Sequence, residues 1–435
     1  MAVYGRRRTG KTELMLDYIA NEGRKTGIYY QCTSFDYRVC LSDFIDAVCA
    51  QIGEDRILRS VKSFRDVFQY LSDTGKAEGR LFIIDEFPFL AKKDENVVVE
   101  FQWIIDHALR NLKLILLGSS LSFMRRQIND SLSPLYGRFD EILEIRPFTF
   151  SNVQELFPAF EDAVDVYAQT GGVAQYVMFF KEYPSVREAS DALFFNRNGR
   201  LFAEASNLLM QELRDVTTYV SILRTIGRGE KESGKIAEKC GMDPRNVFTY
   251  LSRLIDLEIV AAVNNPMDSK KTNRRYRIAD SFFRFNYSFI EPNISMITAI
   301  GGEARKYILN EQYKEFCGIV YEDIIRSKCY EYAMRGILPF MPKEIGKWWG
   351  SILTEGEREE SEIDVVAYDS SHIILGECKY WSKAVGMKEL DFLRSKTPFV
   401  PVKGRTVYYL LASKNGFTSE LNQMKDDRVI LINQA

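Results

Sequence analysis

Tyr4-Gly5-Arg6-Arg7-Arg8-Thr9-Gly10-Lys11-Thr12 is the stretch whose reading decides the fold. It fits the spacing G-x-x-x-x-G-K-[ST], in which a glycine-rich turn runs into a helix and backbone N–H groups cradle phosphate oxygens. Gly5 and Gly10 let the chain curl so that successive N–H groups point inward. Lys11 has the reach to meet the β- and γ-phosphates, and the Thr12 hydroxyl suits Mg²⁺. The helix that follows turns its positive end toward the anion. Gly5, Arg6, Arg7, Arg8, Thr9, Gly10, Lys11 and Thr12 are therefore the expected nucleotide-binding residues, with ATP and Mg²⁺ as the expected ligands.

Such a loop needs a helix after it and a metal-holding acid further on. Residues 13–20 read as the helix, with Leu14, Met15, Tyr18 and Ile19 on one face. Residues 80–86 form a continuous apolar run ending in Asp85 and Glu86, the pattern of a buried parallel strand with carboxylates at its C-terminal edge. There Asp85 is placed to complete the Mg²⁺ shell and Glu86 to polarise the attacking water. A chance glycine-rich turn beside an unrelated core strand is the competing reading, and the presence of both halves outweighs it. Met1 lies four residues before Gly5, so the first strand is expected to have almost no length, and either the sequence begins late or an upstream segment that normally helps hold the base is missing.

The length of 435 residues allows two or three domains with full cores. A net charge of −2 supplies no global attraction to nucleic acid, so any such binding must come from a local patch. The 7 cysteines are scattered without a C-x-x-C pair, which argues against a disulfide framework or zinc site and for a reducing cytoplasm. Only His107 and His372 are available for histidine chemistry. Neither a membrane-length apolar run nor a signal peptide is evident, so a soluble cytoplasmic protein is expected.

Further along, 26–32 and 112–117 read as strands, and 42–52, 64–71 and 97–109 as helices. This alternation implies a parallel sheet with ligands at the carboxyl ends of its strands. Ser119 follows the strand at 112–117 and is placed to sense the γ-phosphate. Ser120 is the other choice, and a serine pair that merely caps the next helix is the plainer one. Arg138, after the turn at 133–137, is the candidate arginine finger, with Arg125 and Arg126 as rivals. Residues 142–145 are expected to close the sheet.

These features resemble the archaeal-type AAA-like ATPases, a P-loop group near the STAND NTPases. The resemblance is carried by 4–12, by Ile84-Asp85-Glu86-Phe87, by Gly118-Ser119-Ser120, by Leu135-Tyr136-Gly137-Arg138 and by 167–176 with its Thr170-Gly171-Gly172 turn. It implies a P-loop core over 1–150 and a helical lid over 151–211, with ATPase activity.

From about Glu212 the pattern changes. Helices at 219–226, 233–240 and 244–257, then strands at 257–263 and 274–278, predict a winged helix-turn-helix over 212–290. Its third helix exposes Arg245, Asn246, Thr249, Tyr250 and Arg253, and its wing carries Lys270, Lys271, Arg274, Arg275 and Arg277. That concentration is a nucleic-acid footprint, and DNA is the expected partner. Winged helices also dock proteins, and that alternative stands. The aromatic runs at 276–285 and 289–293 resemble the join to the C-terminal domain of these ATPases, with Asn286 where the family usually has Trp. They are read as interdomain packing rather than a site.

The remaining segment, 291–435, holds a second constellation. A helix at 316–330 contains Glu322, a strand at 362–368 carries Asp364, and its hairpin partner at 373–379 carries Glu377 and Lys379. A helix, strand, helix and strand follow at 387–395, 407–412, 419–424 and 429–432. This order resembles the PD-(D/E)XK, restriction-endonuclease-like α/β fold. Strand alternation puts Glu377 and Lys379 on one face and sends Cys378 into the core. The resemblance implies Asp364 and Glu377 around a second Mg²⁺ or a Mn²⁺, Lys379 orienting water, and Glu322 in support. Gly346-Lys347-Trp348-Trp349-Gly350 matches the segment before the acidic strand. Cleavage, a DNA-binding regulator with an inactive nuclease fold, and a STAND-like switch with protein partners or self-association all remain open readings.

Overall fold

The computed structural model describes residues 1–21, 27–34, 36–92, 94–109, 112–268, 274–354 and 357–434. The chain divides into two compact units, Met1–Phe148 with Val173–Met178, and Thr149–Gly172 with Phe179–Ala435.

The first unit is built on a fully parallel sheet in the order β2-β3-β4-β1-β5. Its strands are β1 Ala2–Tyr4, β2 Gly27–Gln31, β3 Leu81–Asp85, β4 Lys113–Gly118 and β5 Ile142–Glu144. The apolar runs that predicted covered strands are buried, all five residues in β3 and the last five of six in β4. The first strand is short, as expected. It nevertheless lies inside the sheet between β4 and β5 with all three residues buried, and the Met1 ammonium donates to the Leu114 carbonyl at 3.0 Å. The helix Tyr37–Ile52 starts ahead of the predicted residue 42 because the Asp36 carboxylate accepts from the N–H groups of Arg38 and Val39. On one side of the sheet Phe44 stacks on Phe68 at 5.6 Å, and Phe87 meets Phe101 edge-on at 4.9 Å. Strand register sets where the loops leave the sheet. Tyr4 pairs with Gly118 and Ile84 with Leu116, so the loop after β1, the end of β3 and the start of 119–120 emerge at one edge.

The second unit begins with the helices Phe150–Leu156, Phe160–Thr170, Val186–Leu193 and Glu204–Glu212. Three more follow at Val216–Gly227, Ser233–Lys239 and Pro244–Asp256, then the antiparallel pair β6 Val260–Val263 and β7 Arg275–Ile278. β6 starts later than the predicted residue 257 because Glu258 turns through the left-handed region at φ 59°. Lys270 and Lys271 lie outside the described residues. The aromatic run is packing, as read. Phe282, Phe283, Phe285, Tyr287 and Phe289 are buried, and Phe289 meets Phe316 at 5.3 Å on the long helix Glu311–Met334.

A five-stranded mixed sheet closes the unit, with the order β12-β11-β10-β9-β8. Its strands are β8 Glu344–Thr354, β9 Glu357–Tyr368, β10 His372–Lys379, β11 Thr406–Ser413 and β12 Val429–Asn433. The pairs β8–β9 and β9–β10 are antiparallel, while β10–β11 and β11–β12 are parallel. The ladder of β8 and β9 shifts between Gly346 and Trp348, so that Asp364 and Val365 together oppose the single residue Lys347. This is a β-bulge, a device that re-aims side chains. Its effect is visible in the core, where Ile363 and Val366, three apart, lie in one apolar cluster with Leu390 and Leu393.

Candidate functional site

Gly5 follows β1 at a point where the backbone brushes the chain after β5. A Cβ there would stand 2.1 Å from the Ile145 carbonyl oxygen. Gly10 adopts φ +88°, and Arg8 between them takes φ 68°. The helix Lys11–Asn21 begins where the loop ends. Lys11 is 5% exposed, and its ammonium donates to the Arg6 carbonyl at 2.7 Å, beside the Thr9 hydroxyl on the same oxygen at 2.8 Å. Burial lowers the Lys11 pKa to about 8 against the opposing pull of Glu86 and Asp85.

Asp85, at the end of β3, is 1% exposed and gathers three donors. Thr12 Oγ1 donates to Oδ2 at 2.6 Å, Tyr29 Oη to the same oxygen at 2.8 Å, and the Glu86 N–H to Oδ1 at 2.8 Å. Burial and the Asp85 charge push the Tyr29 phenol well above its usual value. Glu86 takes the left-handed conformation, φ 54° and ψ 39°, at the start of the short helix Phe87–Ala91. A non-glycine residue there is strained, of the kind that collects at functional sites. Its Oε2 accepts from the Ser119 hydroxyl at 2.8 Å, and its Oε1 lies 3.9 Å from the Arg7 guanidinium.

The structure therefore brings Lys11, Thr12, Asp85, Glu86 and Ser119 to one sheet edge. Ser119 meets Glu86. Ser120 stands at the start of the helix Leu121–Asn129 without a capping bond, its buried hydroxyl without a partner among the described residues. The arginines are held elsewhere in the unit. Arg138 Nε contacts both Asp106 oxygens at 2.9 and 3.1 Å, Arg125 pairs with Glu144 at 2.7 Å and Arg126 with Glu95 at 3.4 Å. Two participants escaped the sequence reading. Tyr29 is signalled only by its position on the strand beside the acid-bearing one. Gln175 accepts from Arg8 Nη1 at 2.7 Å and returns its N–H to the Arg8 carbonyl at 3.1 Å. It lies in the 167–176 segment, although nothing in its residue type announced the contact.

At the distal centre Asp364 and Glu377 are both buried. The Cys378 N–H donates to Asp364 Oδ2 at 3.0 Å, and Lys379 Nζ to Glu377 Oε1 at 2.7 Å. Two lysines join, Lys396 and the Lys347 of the 346–350 segment, neither of which the sequence set on these acids. Lys396, 3% exposed, reaches the other Glu377 oxygen at 3.3 Å. Lys347, opposite the bulge, stands 3.1 Å from Glu322, 2.7 Å from Glu362 and 3.6 Å from Asp364. Burial works against the Lys347 charge, yet Glu322, Asp364 and Glu362 outweigh it and hold its pKa above the usual lysine value. Burial, with Glu322 and Glu377 nearby, pushes the Asp364 carboxyl up. Among the described residues no group of three or more His, Cys, Asp or Glu side chains is arranged to hold a metal ion.

The basic residues of 212–290 divide. Arg245, Asn246 and Thr249 are exposed, with Tyr250 and Arg253 half-buried on the same helix. Arg274 is exposed, whereas Arg275 pairs with Glu362 at 2.9 Å and Arg277 with Asp323 at 2.9 Å.

A loop of this geometry at the carboxyl edge of a parallel sheet is that of a P-loop nucleotide-binding domain. Residues 1–179 match the family described as an ATPase domain predominantly from Archaea, and 286–390 match a family of archaeal and bacterial proteins of unknown function. An uncharacterized protein of Methanocaldococcus jannaschii is 30% identical over 382 residues, covering 85% of this chain and 80% of that protein. The chain belongs to the family of that protein, with an archaeal-type ATPase domain and a C-terminal domain of the second kind. Among solved structures, a Walker-type ATPase of Pyrococcus abyssi is similar at 20% identity and TM-score 0.49, covering 66% of this chain and 90% of that one. The ORC2 protein of Aeropyrum pernix is similar at 14% identity and TM-score 0.42, covering 68% and 88%. An ATPase domain implies bound nucleotide and Mg²⁺, and the hydroxyl and carboxylate of Thr12 and Asp85 are hard oxygen donors that fit that ion. Among the described residues no helix is long and apolar enough to cross a membrane.

Proposed function

We propose that the chain is an ATP-hydrolysing switch that acts on, or is regulated by, DNA. The reading divides it into a P-loop core (1–150), a helical lid (151–211), a winged helix (212–290) and a PD-(D/E)XK-like domain (291–435). The observation that carries it is the pairing of Thr12 with Asp85 at 2.6 Å, directly beside Glu86 and Ser119. Lys11 and the loop N–H groups bind the triphosphate, and Thr12 and Asp85 are the residues that would hold Mg²⁺. Bound Mg²⁺ would neutralise charge on the phosphate oxygens. Glu86 orients the attacking water and takes its proton, with Ser119 holding that carboxylate until the γ-phosphate competes for the hydroxyl. Arg138 serves as the finger once released from Asp106.

The exposed Arg245, Asn246 and Thr249, with the half-buried Arg253 on the same helix, support DNA as the partner of the winged helix. At the distal centre each of Asp364, Glu377 and Glu322 carries a lysine ammonium. That arrangement supports a second reading beside cleavage, in which the fold is kept for binding alone. ATP turnover measured with and without duplex DNA, and plasmid nicking in Mg²⁺ or Mn²⁺ by wild type and Asp364→Ala, test both parts. Turnover indifferent to DNA, with no salt-sensitive DNA binding, removes the DNA half of the proposal. Nicking absent, or equal in the two proteins, removes the nuclease.

A further inference from the structure

A cleft of about 900 Å³ lies within the second unit, between the β6–β7 pair, the long helix and the β8–β9 hairpin. Three cations from three separate elements meet on its wall at one carboxylate, that of Glu362 on β9. Lys231, in the turn after the helix Val216–Gly227, lies 3.2 Å from Glu362 Oε1, and Arg275 on β7 lies 2.9 Å from the same oxygen. Lys347 on β8 lies 2.7 Å from Oε2. The first two are fixed to one another, because the Tyr276 N–H donates to the Lys231 carbonyl at 2.7 Å. The Arg275 guanidinium also sits over the Trp349 indole, 4.8 Å from its centroid. The pair β6–β7 is anchored independently of Glu362. Asn265 donates to the Trp349 carbonyl at 2.8 Å, and the Tyr368 hydroxyl to the Pro266 carbonyl at 3.1 Å.

We propose that Lys231, Arg275 and Lys347 form a binding site for a backbone phosphate of a nucleic-acid strand, and that the Glu362 carboxylate covers it as a built-in competitor. Glu362 makes the contacts an incoming phosphate oxygen would make, two on one oxygen and one on the other. Its side chain is 33% exposed, so it can swing out while the anchoring bonds of 265–266 stay in place. Guanidinium and ammonium groups of this kind pair with phosphate oxygens as readily as with a carboxylate. The cleft volume of about 900 Å³ exceeds what a single phosphate needs. A phosphate here would sit beside Lys347, which is 3.6 Å from Asp364, so the cleft delivers a strand to the distal centre. The inference rests on the nucleic-acid reading above and adds to it a second contact surface, apart from the exposed helix, together with its gate.

The test is fluorescence anisotropy of labelled single-stranded and duplex oligonucleotides with the full-length chain over a salt series. Glu362→Gln should bind at least about five-fold more tightly than wild type, with a salt slope steeper by about one, as for one added phosphate contact. Glu359→Gln, an equal change of charge at an exposed position on the same strand, should not reproduce the gain. Adding Lys231→Ala to Glu362→Gln should cancel it, and Lys231→Glu alone, at a half-exposed position, should weaken wild-type binding. If wild type binds DNA in a manner sensitive to Arg245→Ala and Glu362→Gln changes nothing, the covered site is overturned and the DNA reading stands. If no variant binds either oligonucleotide, both fall. If Glu362→Gln instead gains affinity for inorganic phosphate or ATP without gaining any for the oligonucleotides, the ligand is a free phosphate and the strand proposal is overturned.

Discussion

Thr12 and Asp85, 73 positions apart in the chain, share a hydrogen bond of 2.6 Å across the edge of the parallel sheet. Asp85 can hold that position because β3 is buried along its whole length and pairs with β2 and β4 on either side. The loop and its acid are thus placed by strand register.

Replacing Lys11 or Asp85 by Ala should lower ATP turnover by about 100-fold or more, the usual cost of losing one preorganised charge contact to a transition state. Phosphate release at saturating ATP and Mg²⁺ checks this. Turnover and nucleotide affinity both unchanged in Lys11→Ala would end the assignment of the site.

Gly5→Ala should destabilise the first unit more than Gly10→Ala. At Gly5 the new Cβ meets the Ile145 carbonyl at 2.1 Å, a backbone atom that cannot rotate away, whereas at Gly10 the nearest atom is the Ala174 Cβ at 3.9 Å. Gly10→Ala still carries left-handed strain of about 1–2 kcal/mol, or roughly 2–8 °C in melting temperature. Scanning calorimetry of both variants decides the order. A Gly5→Ala melt at or above that of Gly10→Ala contradicts the close approach.

Asp323 predicts an acid-dependent loss of stability. Burial pushes its carboxyl up, but Arg277 and Arg284, each at 2.9 Å, and Arg326 at 2.5 Å outweigh that and hold it below the usual carboxylate range. A depressed folded-state pKa means stability that is present above the ordinary value near 4 and drains away as pH falls below it. Asp323→Asn should cost about 3–5 kcal/mol at pH 7, since three guanidiniums are left facing one another. The gap to wild type should narrow in urea titrations near pH 3. A gap independent of pH would show that the cluster is not the source.

Arg138 separates a structural from a catalytic role. Its ion pair with Asp106 is about a third exposed on both sides, so Arg138→Ala should cost little stability, about 1 kcal/mol at most. A finger contributes about 1,000-fold or more to turnover. Asp106→Ala frees the guanidinium and should leave turnover equal or higher. Turnover that falls equally in both variants assigns the pair to scaffolding.

The nucleotide site was legible because its chemistry is local in sequence. Gly5 to Thr12 carry the loop within a single short stretch, and Asp85 and Glu86 announce themselves at the end of an apolar run. What stayed hidden depends on partners brought together by tertiary structure. Ser119 was singled out for a phosphate, while its contact with Glu86 requires the register of β3 and β4. Arg275 reads as a free basic residue in the chain, yet its acid is Glu362, 87 positions away. Lys396 carries no pattern at all, and Lys347 only its place in the 346–350 segment, until the sheet sets them on Glu322, Glu362, Asp364 and Glu377. The early start of the helix at Tyr37 was in principle readable from Asp36, since an aspartate before a helical run marks a helix start.

The extra residue in β9 has a bearing on how this hairpin can be copied or trimmed. Counting by twos from Val366 toward the tip assigns Glu362 and Asp364 to the apolar side, and counting from Ile363 assigns them to the opposite one. Deleting one residue there would even out the β8–β9 ladder while removing the offset on which the lysine contacts depend. Length at that point, along with the identity of Asp364, is what any shortened or transplanted version would have to preserve.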